Sequence, residues 1–464
     1  MKLTNIKFSL VVAIVLHYLC ATNLQAQTSP DLSPILVQKN LITQREADSI
    51  AVLAAFNDKV NVQNKSFTIG LEFRPRFEYR DGYKQLPNDT SHAAFFATQR
   101  SRLYFTYTQP KFKFHTSIQD VRVWGQYGLV STTGSLSVYE AYAEFYFSDK
   151  WFVRAGRQKI ELDNGRLFSA SNWSQAGKAH DGLDFIYNGA KVYSEFITCF
   201  NQTSEQTYET NFSPTTFTNY KLLNIHFLKV KLHKYITLTT LNAADGYQSK
   251  TSSRTLYERG TSGGRIAFEK GNLYATVCGY YQYGKLQSGK TIDAYYLQPE
   301  VQIKFKKLTT RLGAEYMSGD DATKPSDLSK SFVPLYGVAW KFMGNMDYFA
   351  SFPTDVKKGG LFNPYLFLIF EINKNLFVRS DVHLFYLQNK VTDANSNVID
   401  PYLGIENDLS LNYKWNDFTT IDFGFSYLFA GKSMETLKGG NRNNVPISGY
   451  LMLTFQPEIF SLKK

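Results

Sequence analysis

The sequence predicts an all-β protein, a transmembrane up-and-down antiparallel β-barrel of about 18 strands with short periplasmic turns and long extracellular loops. Three observations lead to this fold class. Apolar and polar residues alternate along many segments, and the connections between these segments alternate between short and long. In addition, a secretion signal is followed by no apolar run of the ~20 residues that a membrane helix needs.

The N-terminus has the parts of a signal peptide. Lys2 and Lys7 make it basic, residues 8–19 form a short apolar core, and Ala26 closes a cleavage site. We therefore predict a signal peptide at 1–26 and export of the rest of the chain.

The mature chain is predicted to have two parts. Residues 27–65 form a periplasmic N-terminal segment with a helix at 43–57, where Thr43 and Glu46 have the spacing of a capping box. Residues 66–464 form the barrel. We hypothesise that a periplasmic partner binds the segment 27–65.

The segment FTIGLEFRPRFEYR, residues 67–80, shows the alternation most clearly. Every second residue from Phe67 onward is apolar or aromatic, and the residues between them carry five charges. Successive side chains of a strand point to opposite faces, which predicts a long strand with one apolar and one charged face. Pro75 falls on the apolar face, where we expect a bulge because proline lacks the amide that strand pairing needs.

Other segments repeat this two-faced pattern. In residues 139–147, Tyr139, Ala141 and Phe145 are predicted on one face, and Glu140 and Glu144 on the other. A barrel of about 18 strands is too wide for side chains to fill, so the charged face is assigned to a wet lumen. The apolar face then contacts outer-membrane lipid and lipopolysaccharide, and the predicted location is the outer membrane of a Gram-negative bacterium.

Composition and motifs exclude several classes of function. The chain has 51 basic and 40 acidic residues, an excess that suits anionic solutes or an anionic membrane surface. Export makes nucleic acid an unsuitable partner. Residues 284–291 match a phosphate-binding loop, but a strand pattern containing Pro299 follows where that motif requires a helix. The sequence contains no nucleophile elbow and no metal-binding spacing, so we predict no catalytic site, metal or cofactor.

Basic residues on the inward faces are the candidate solute-binding residues. Arginine suits carboxylate and phosphate, and rings of such residues select anions in pores. The loop 161–181 would narrow the lumen if it folded inward, and the long loop 319–360 would either fold inward or cap the outside. The predicted pore-lining residues are Arg74, Arg76, Arg80, Arg100, Arg102, Arg154, Arg157, Arg166, Lys178, Asp181, Arg311, Arg379, Asp381 and His383.

The stretch VRAGRQKIELDNGRLFSASNWSQAGKAHDGLDFIY, residues 153–187, resembles the signature of the alginate export family of outer-membrane barrels. The resemblance implies a barrel of about 18 strands with a cationic, arginine-rich pore, and in its founding members export of the anionic polysaccharide alginate. Supporting stretches, in the family's order, are IQDVRVWGQ (118–126), GAEYMSGDD (313–321), FVPLYGVAWKFMGNMDYF (332–349), VRSDVHLFYL (378–387) and LGIENDLSLNY (403–413).

The predicted function is passive diffusion of an anionic solute, an anionic polysaccharide or oligosaccharide being one such solute. Two alternatives remain open. Inward glutamates and aspartates could neutralise the arginines, which would give a weakly selective or structural barrel whose surface loops bind partners. The second alternative is an outer-membrane barrel hydrolase.

Overall fold

The computed structural model describes residues 65–463, apart from residues 130–133, 203, 206, 209–219, 250–251, 253 and 340. The predicted signal peptide at 1–26 lies outside the described residues. So does the segment 27–65 with its helix at 43–57, except for Lys65.

Twenty strands in the described residues belong to one sheet, and eighteen of them form the wall of a closed barrel. Each wall strand pairs antiparallel with its neighbours in the chain, so the predicted fold class and strand number are confirmed. The strands are β1 (Ser66–Asp81), β2 (Ala94–Gln109), β3 (Phe112–Val123), β4 (Leu136–Tyr146), β5 (Trp151–Gln158), β6 (His180–Asn188), β7 (Val192–Phe200), β8 (Leu222–His233), β9 (Ile236–Gln248), β10 (Leu256–Lys270), β11 (Leu273–Lys285), β12 (Thr291–Phe305), β13 (Leu308–Met317), β14 (Leu328–Ser329), β15 (Leu361–Asn373), β16 (Leu376–Leu387), β17 (Tyr402–Asn416), β18 (Thr419–Ala430), β19 (Ile447–Phe455) and β20 (Glu458–Lys463).

The barrel closes between its first and last strands. β1 pairs with β19 around Arg76 and Met452, and β20 continues the last strand by pairing with β1 from Ser66 to Gly70. The two remaining strands are therefore not wall strands of their own: β14 is a short parallel pairing with β12, and β20 extends β19. Closure removes the free edges that would expose unpaired backbone amides to lipid.

Side chains alternate between two environments along most wall strands. On β12, the apolar Leu297 and Ile303 are half-exposed on the outside, whereas Gln298 and Glu300 are buried on the inside. On β13, Leu312 is 63% exposed on the outside. The assignment of apolar side chains to lipid and polar side chains to the lumen holds for these strands.

β7, β8 and β9 depart from this alternation. Many of their inward side chains are apolar and buried, among them Ile197, Leu223, Phe227 and Leu241. These residues belong to the large apolar cluster inside the barrel. The pattern is inverted here because apolar residues of the long loops, described below, pack against this part of the wall.

A bulge in β4 moves Tyr139 to the lumen side. Ser117 of β3 pairs with Glu140, and the next residue, Ile118, pairs with Val138, so that Tyr139 is the extra residue. Tyr139 is buried. The prediction that it faces lipid is therefore wrong, because the bulge shifts the alternation by one residue.

Pro75 interrupts the wall without a bulge. β1 keeps one register against β2, with Pro75 opposite Gln99. On its other side, the ladder to β19 has pairs at Phe73 and Arg76 but at neither residue between them. The predicted bulge is wrong. Proline lacks only its own N–H group, so it leaves a gap in the strand pairing on one side and not on the other.

The connections have the predicted two lengths. A tight turn joins β2 to β3, whereas residues 318–360 separate β13 from β15. An α-helix, α1 (Lys432–Lys438), lies in the loop between β18 and β19, and a single 3-10 turn covers Thr354–Val356. Among the described residues, no helix has the length and apolar character needed to span a membrane.

Replacing Leu312 with Arg is expected to lower the free energy of unfolding by about 2–4 kcal/mol, because a guanidinium group near the middle of the lipid layer loses its hydration. The matched control is Ser410→Arg on the inner face of β17, where water is accessible. Equilibrium unfolding in urea, with the barrel folded in phospholipid vesicles, measures both. Equal losses would contradict the assignment of the outer face.

Candidate functional site

Two long loops fold into the lumen. The first inner loop, residues 159–179, joins β5 to β6, and the second inner loop, residues 318–360, joins β13 to β15. Phe168 of the first is fully buried, and its ring centroid lies 5.7 Å from that of Tyr336 in the second. Both rings belong to one cluster with the inward side chains Leu223 and Phe385 of the wall. The structure thus answers the question that the sequence left open about both loops.

The two inner loops touch along their main chains. The amide of Tyr336 donates to the carbonyl oxygen of Leu167 at 2.9 Å. A Cβ atom on Gly337 would lie 1.9 Å from the carbonyl oxygen of Arg166, so no residue with a side chain fits there. We call the two inner loops together the plug.

Arginines of β1 bind the main chain of the first inner loop. Nη1 of Arg74 donates to the carbonyl of Asn172 at 2.8 Å, and Nη2 donates to that of Ser174 at 3.0 Å. Nη1 of Arg76 donates to the carbonyl of Trp173 at 2.8 Å, and the guanidinium group lies 4.2 Å from the indole centroid. Both arginines point inward as predicted, but both are buried beneath the loop.

Arginines of β2 continue this contact. Arg100 donates from Nε to Glu72 at 3.0 Å and from Nη2 to the side-chain oxygen of Asn172 at 2.8 Å. Arg102 donates from Nη2 to the carbonyl of Ala176 at 3.0 Å, and it stacks at 3.7 Å on the ring of Tyr139, the bulged residue. The donors of these four arginines are thus used to hold the loop, and their predicted role as solute ligands stays a prediction.

The β1–β2 wall contains more guanidinium groups than carboxylates. Glu72 and Glu78 form ion pairs with four arginines, and Arg102 forms no ion pair within 4.0 Å among the described residues. A net positive charge therefore remains at this level of the lumen. The ion pairs are Arg74–Glu72, Arg100–Glu72, Arg76–Glu78 and Arg80–Glu78.

Arg166 and Glu315 form a fully buried ion pair between the plug and β13. Their Nε and Oε1 atoms lie 2.8 Å apart, and neither side chain is more than 1% exposed. Nη1 of Arg166 also donates to the carbonyl of Val338 at 2.8 Å, and the Tyr296 hydroxyl donates to Glu315 at 2.8 Å. Arg166 was predicted to line the pore; the structure places it inside the plug, where it joins both inner loops to the wall.

Two carboxylates of β17 hold a turn of the second inner loop. Glu406 accepts the amide of Met346 at 2.9 Å, and Asp408 accepts the amide of Asn345 at 3.0 Å. Gly344 precedes them at φ +81°, and a Cβ atom there would lie 2.3 Å from Glu406. This anchor was not predicted from the sequence, although two inward carboxylates on one strand without a basic neighbour are a signal for it.

Two further anchors were also missed. Asp163 of the first inner loop accepts a bond from Nε of Arg265 on β10 at 2.8 Å. Tyr336 of the second inner loop donates its hydroxyl to Asp245 at 2.8 Å, and Asp245 is paired with Arg259. The partners lie more than ninety residues apart in the chain, so local patterns carried no information about them.

A second basic group lies nearer the periplasmic turns. Arg311 bonds Glu300 at 2.9 Å, and Arg379 bonds Asp381 at 2.7 Å. Both guanidinium groups lie over the ring of Phe367, at 5.3 Å and 4.8 Å from its centroid. Arg311 and Arg379 keep 13% and 15% of their side-chain surface exposed, in contrast to the arginines under the plug. These two residues are therefore accessible from the lumen.

Two other predicted inward residues, His383 and Arg154, are buried. His383 forms a hydrogen bond with the side-chain oxygen of Asn363 at 3.1 Å. Arg154 bonds Glu144 at 2.9 Å and lies 3.8 Å from Asp184. Within the part of the chain that the structure describes, no group of three His, Cys, Asp or Glu side chains is placed to hold a metal ion.

Arg157 and Asp181 face away from the lumen, which corrects their assignment as pore-lining residues. They form an ion pair of 2.8 Å at the outer ends of β5 and β6, and both side chains are more than a third exposed. Arg154 and Asp184, on the same two strands, point inward. Arg157 lies three positions from Arg154, and Asp181 lies three positions from Asp184. Side chains an odd number of positions apart on a strand point to opposite faces, so Arg157 and Asp181 point outward.

Lys178 joins the two inner loops. Its Nζ donates to the carbonyls of Tyr336 and Gly337, at 3.0 Å and 2.8 Å. Burial lowers the pKa of Lys178 to about 8, because the charged ammonium group loses hydration. The docked plug therefore favours the neutral amine.

A model of the alginate export family matches residues 65–448. A search of curated proteins gave no match.

Solved structures of similar fold include proteins of two bacteria. OccAB4 of Acinetobacter baumannii has a TM-score of 0.59 at 13% identity, covering 86% of this chain and 99% of its own. OccK2 (OpdF) of Pseudomonas aeruginosa, solved in complex with glucuronate, has a TM-score of 0.59 at 12% identity, covering 85% and 98%. OpdK of Pseudomonas aeruginosa, solved with vanillate, has a TM-score of 0.55 at 10% identity, covering 86% and 99%. At these identities the likeness shows the fold alone.

Replacing Arg166 with Met is expected to destabilise the docked plug by about 3–5 kcal/mol, because Glu315 is left buried without a counter-charge. The double variant Arg166→Met, Glu315→Leu should recover most of the loss. A double-mutant cycle on urea unfolding measures the coupling. Additive losses would contradict a direct ion pair.

The stability of the folded barrel should depend on pH through Lys178. Its contribution is fully present above the ordinary lysine pKa of about 10.5 and is lost as the pH falls through about 8. The gain across this window is at most about 3 kcal/mol. Urea unfolding of the native chain and of Lys178→Met at several pH values isolates the effect, and identical pH slopes would contradict it.

Proposed function

This chain belongs to the alginate export family and forms an outer-membrane β-barrel, and from that premise we propose that it is a passive channel for small solutes that carry a carboxylate group. The solute moves down its own concentration gradient. The positive charge of the lumen draws it in, and several weak sites let it pass from one to the next.

The observation that carries the proposal is the excess of arginine on the β1–β2 wall. Glu72 and Glu78 each balance one of the two arginines beside them, and Arg102 has no acidic partner within 4.0 Å among the described residues. The loop carbonyls that cap these arginines carry no net charge. A low-dielectric wall focuses such a field into the lumen, which raises the local concentration of anions.

The plug supports a small solute over a polymer. Both inner loops occupy the lumen, and buried ion pairs and main-chain contacts fix them to opposite parts of the wall, β13 through Arg166 and β1–β2 through Arg74 and Arg100. A polysaccharide chain would need these contacts to break. A single uronate or aromatic acid needs only the space beside them.

Arg311 and Arg379 are the residues best placed to contact the solute. They are partly exposed, lie over the same aromatic ring, and each is already held by a carboxylate that fixes its orientation. A guanidinium fork can bond a carboxylate through two parallel hydrogen bonds. Glucuronate and vanillate, which are named in the structures of two proteins of similar fold, both carry a carboxylate group.

The double variant Arg311→Gln, Arg379→Gln should reduce the permeability ratio of anion to cation by about sevenfold per charge, because a unit charge about 7 Å away contributes about 0.6 kcal/mol in water, in favour of the anion and against the cation. The measurement is the reversal potential of single channels in planar bilayers under a salt gradient. Glu371→Gln, which removes a partly exposed acidic group at the same end of the barrel, is the matched control and should shift the ratio in the opposite direction.

A size series tests the choice of solute. Glucuronate should interrupt the ionic current at lower concentration than an uncharged sugar, whereas long uronate polymers should not enter. Complete absence of conductance would favour the structural barrel with partner-binding loops, and turnover of a lipid or glycan would favour the hydrolase. Block by polymer alone would contradict the small-solute proposal.

A further inference from the structure

The outer face of β8, β9 and β10 carries polar side chains at the middle of the wall. Asn224 and His226 lie midway along β8, and Asn242 lies midway along β9. His226 pairs directly with Asn242, which pairs with Ser262 of β10. On all three strands the residues next to them, such as Ile225 and Ala243, are buried on the lumen side, so these polar side chains point outward.

Two of these polar groups have no hydrogen-bond partner among the described residues. His226 contacts the Ser194 hydroxyl, and Ser262 contacts the Tyr283 hydroxyl. By contrast, the side-chain amides of Asn224 and Asn242 form no hydrogen bond in the part of the chain that the structure describes, and Asn242 is exposed. Lipid chains offer neither donors nor acceptors, so each unsatisfied amide costs several kcal/mol there.

Two paired glycines lie beside this patch. Gly264 of β10 stands opposite Gly279 of β11, on the outer side between Val277 and Tyr281. A Cβ atom on Gly264 would lie 2.1 Å from the carbonyl oxygen of Thr239, so the wall itself requires glycine there. A Cβ atom on Gly279 would approach no described atom closer than 3.6 Å, and glycine at this position fits the close approach of another molecule.

We propose that this outer face, centred on Asn242 and flanked by His226, Ser262 and Gly279, is the interface of a two-fold homodimer in the membrane. An amide is both donor and acceptor, so two copies of Asn242 related by a two-fold axis satisfy each other. The isologous geometry needs only this one patch on each chain. The small residues beside Asn242, Ser262 and Gly279 among them, let the two walls approach closely enough for these side chains to meet.

A second copy fits this face better than a lipid does. The head groups of phospholipids and lipopolysaccharide lie at the two surfaces of the membrane, whereas the patch lies at mid-wall. The backbone of a closed barrel is already paired, so the partner must offer polar side chains at the same depth. A second copy supplies them in the required position by symmetry.

Cysteine cross-linking in isolated outer membranes tests the proposal. The two cysteines of the described residues, Cys199 and Cys278, are buried and point into the barrel. A cross-link on the outer face therefore comes from the introduced cysteine. Asn242→Cys should give a disulfide-linked dimer under mild oxidation. Leu312→Cys, exposed on the outer face of β13, is the matched control and should give none.

Native mass spectrometry of the detergent-solubilised barrel gives an independent readout. The unmodified protein should contain dimer, and the double variant Asn224→Leu, Asn242→Leu should contain none. The double variant should keep heat-modifiable gel migration and an unchanged single-channel conductance. These two properties show that its barrel still folds. Three outcomes would overturn the homodimer. They are equal cross-linking at Leu312→Cys, monomer alone in both assays, and an adduct with a protein of another mass.

Discussion

The whole architecture depends on the requirement that every backbone amide in lipid finds a partner within the protein. The wall meets it by joining β1 to β19 and letting β20 extend the seam. A ring of this size encloses a lumen that wall side chains alone do not fill. The two inner loops lie in this lumen, and charged side chains on the inner face of the wall are the anchors that hold these loops.

Arginine therefore has two uses in this barrel. Under the first inner loop, the guanidinium groups of β1 and β2 give their donors to main-chain carbonyls and keep only their net charge for the lumen. Near the periplasmic turns, Arg311 and Arg379 keep part of their surface in contact with water. In the channel that we propose, long-range attraction of the solute and direct contact with it are thus assigned to different levels of the lumen.

The sequence contained enough information for the wall but not for the contents of the lumen. Period-two alternation and the sorting of loops by length predicted the strand number, the closure and the facing of strands such as β12 and β13. A single inserted residue changed the facing of Tyr139. Asp181 was assigned to the inward-folding loop and Arg157 to the position just before it, whereas both lie on strands and point outward. The contacts of the plug, such as Arg166 with Glu315, join residues far apart in the chain, and no local pattern encodes them.

The contact at Gly337 ties the two inner loops to each other as well as to the wall. The first inner loop leaves the wall between β5 and β6 and the second between β13 and β15, so each covers an apolar side of the other only when both lie in the lumen. A graft that transfers one of the two loops to another barrel would therefore leave the apolar side of that loop without its cover.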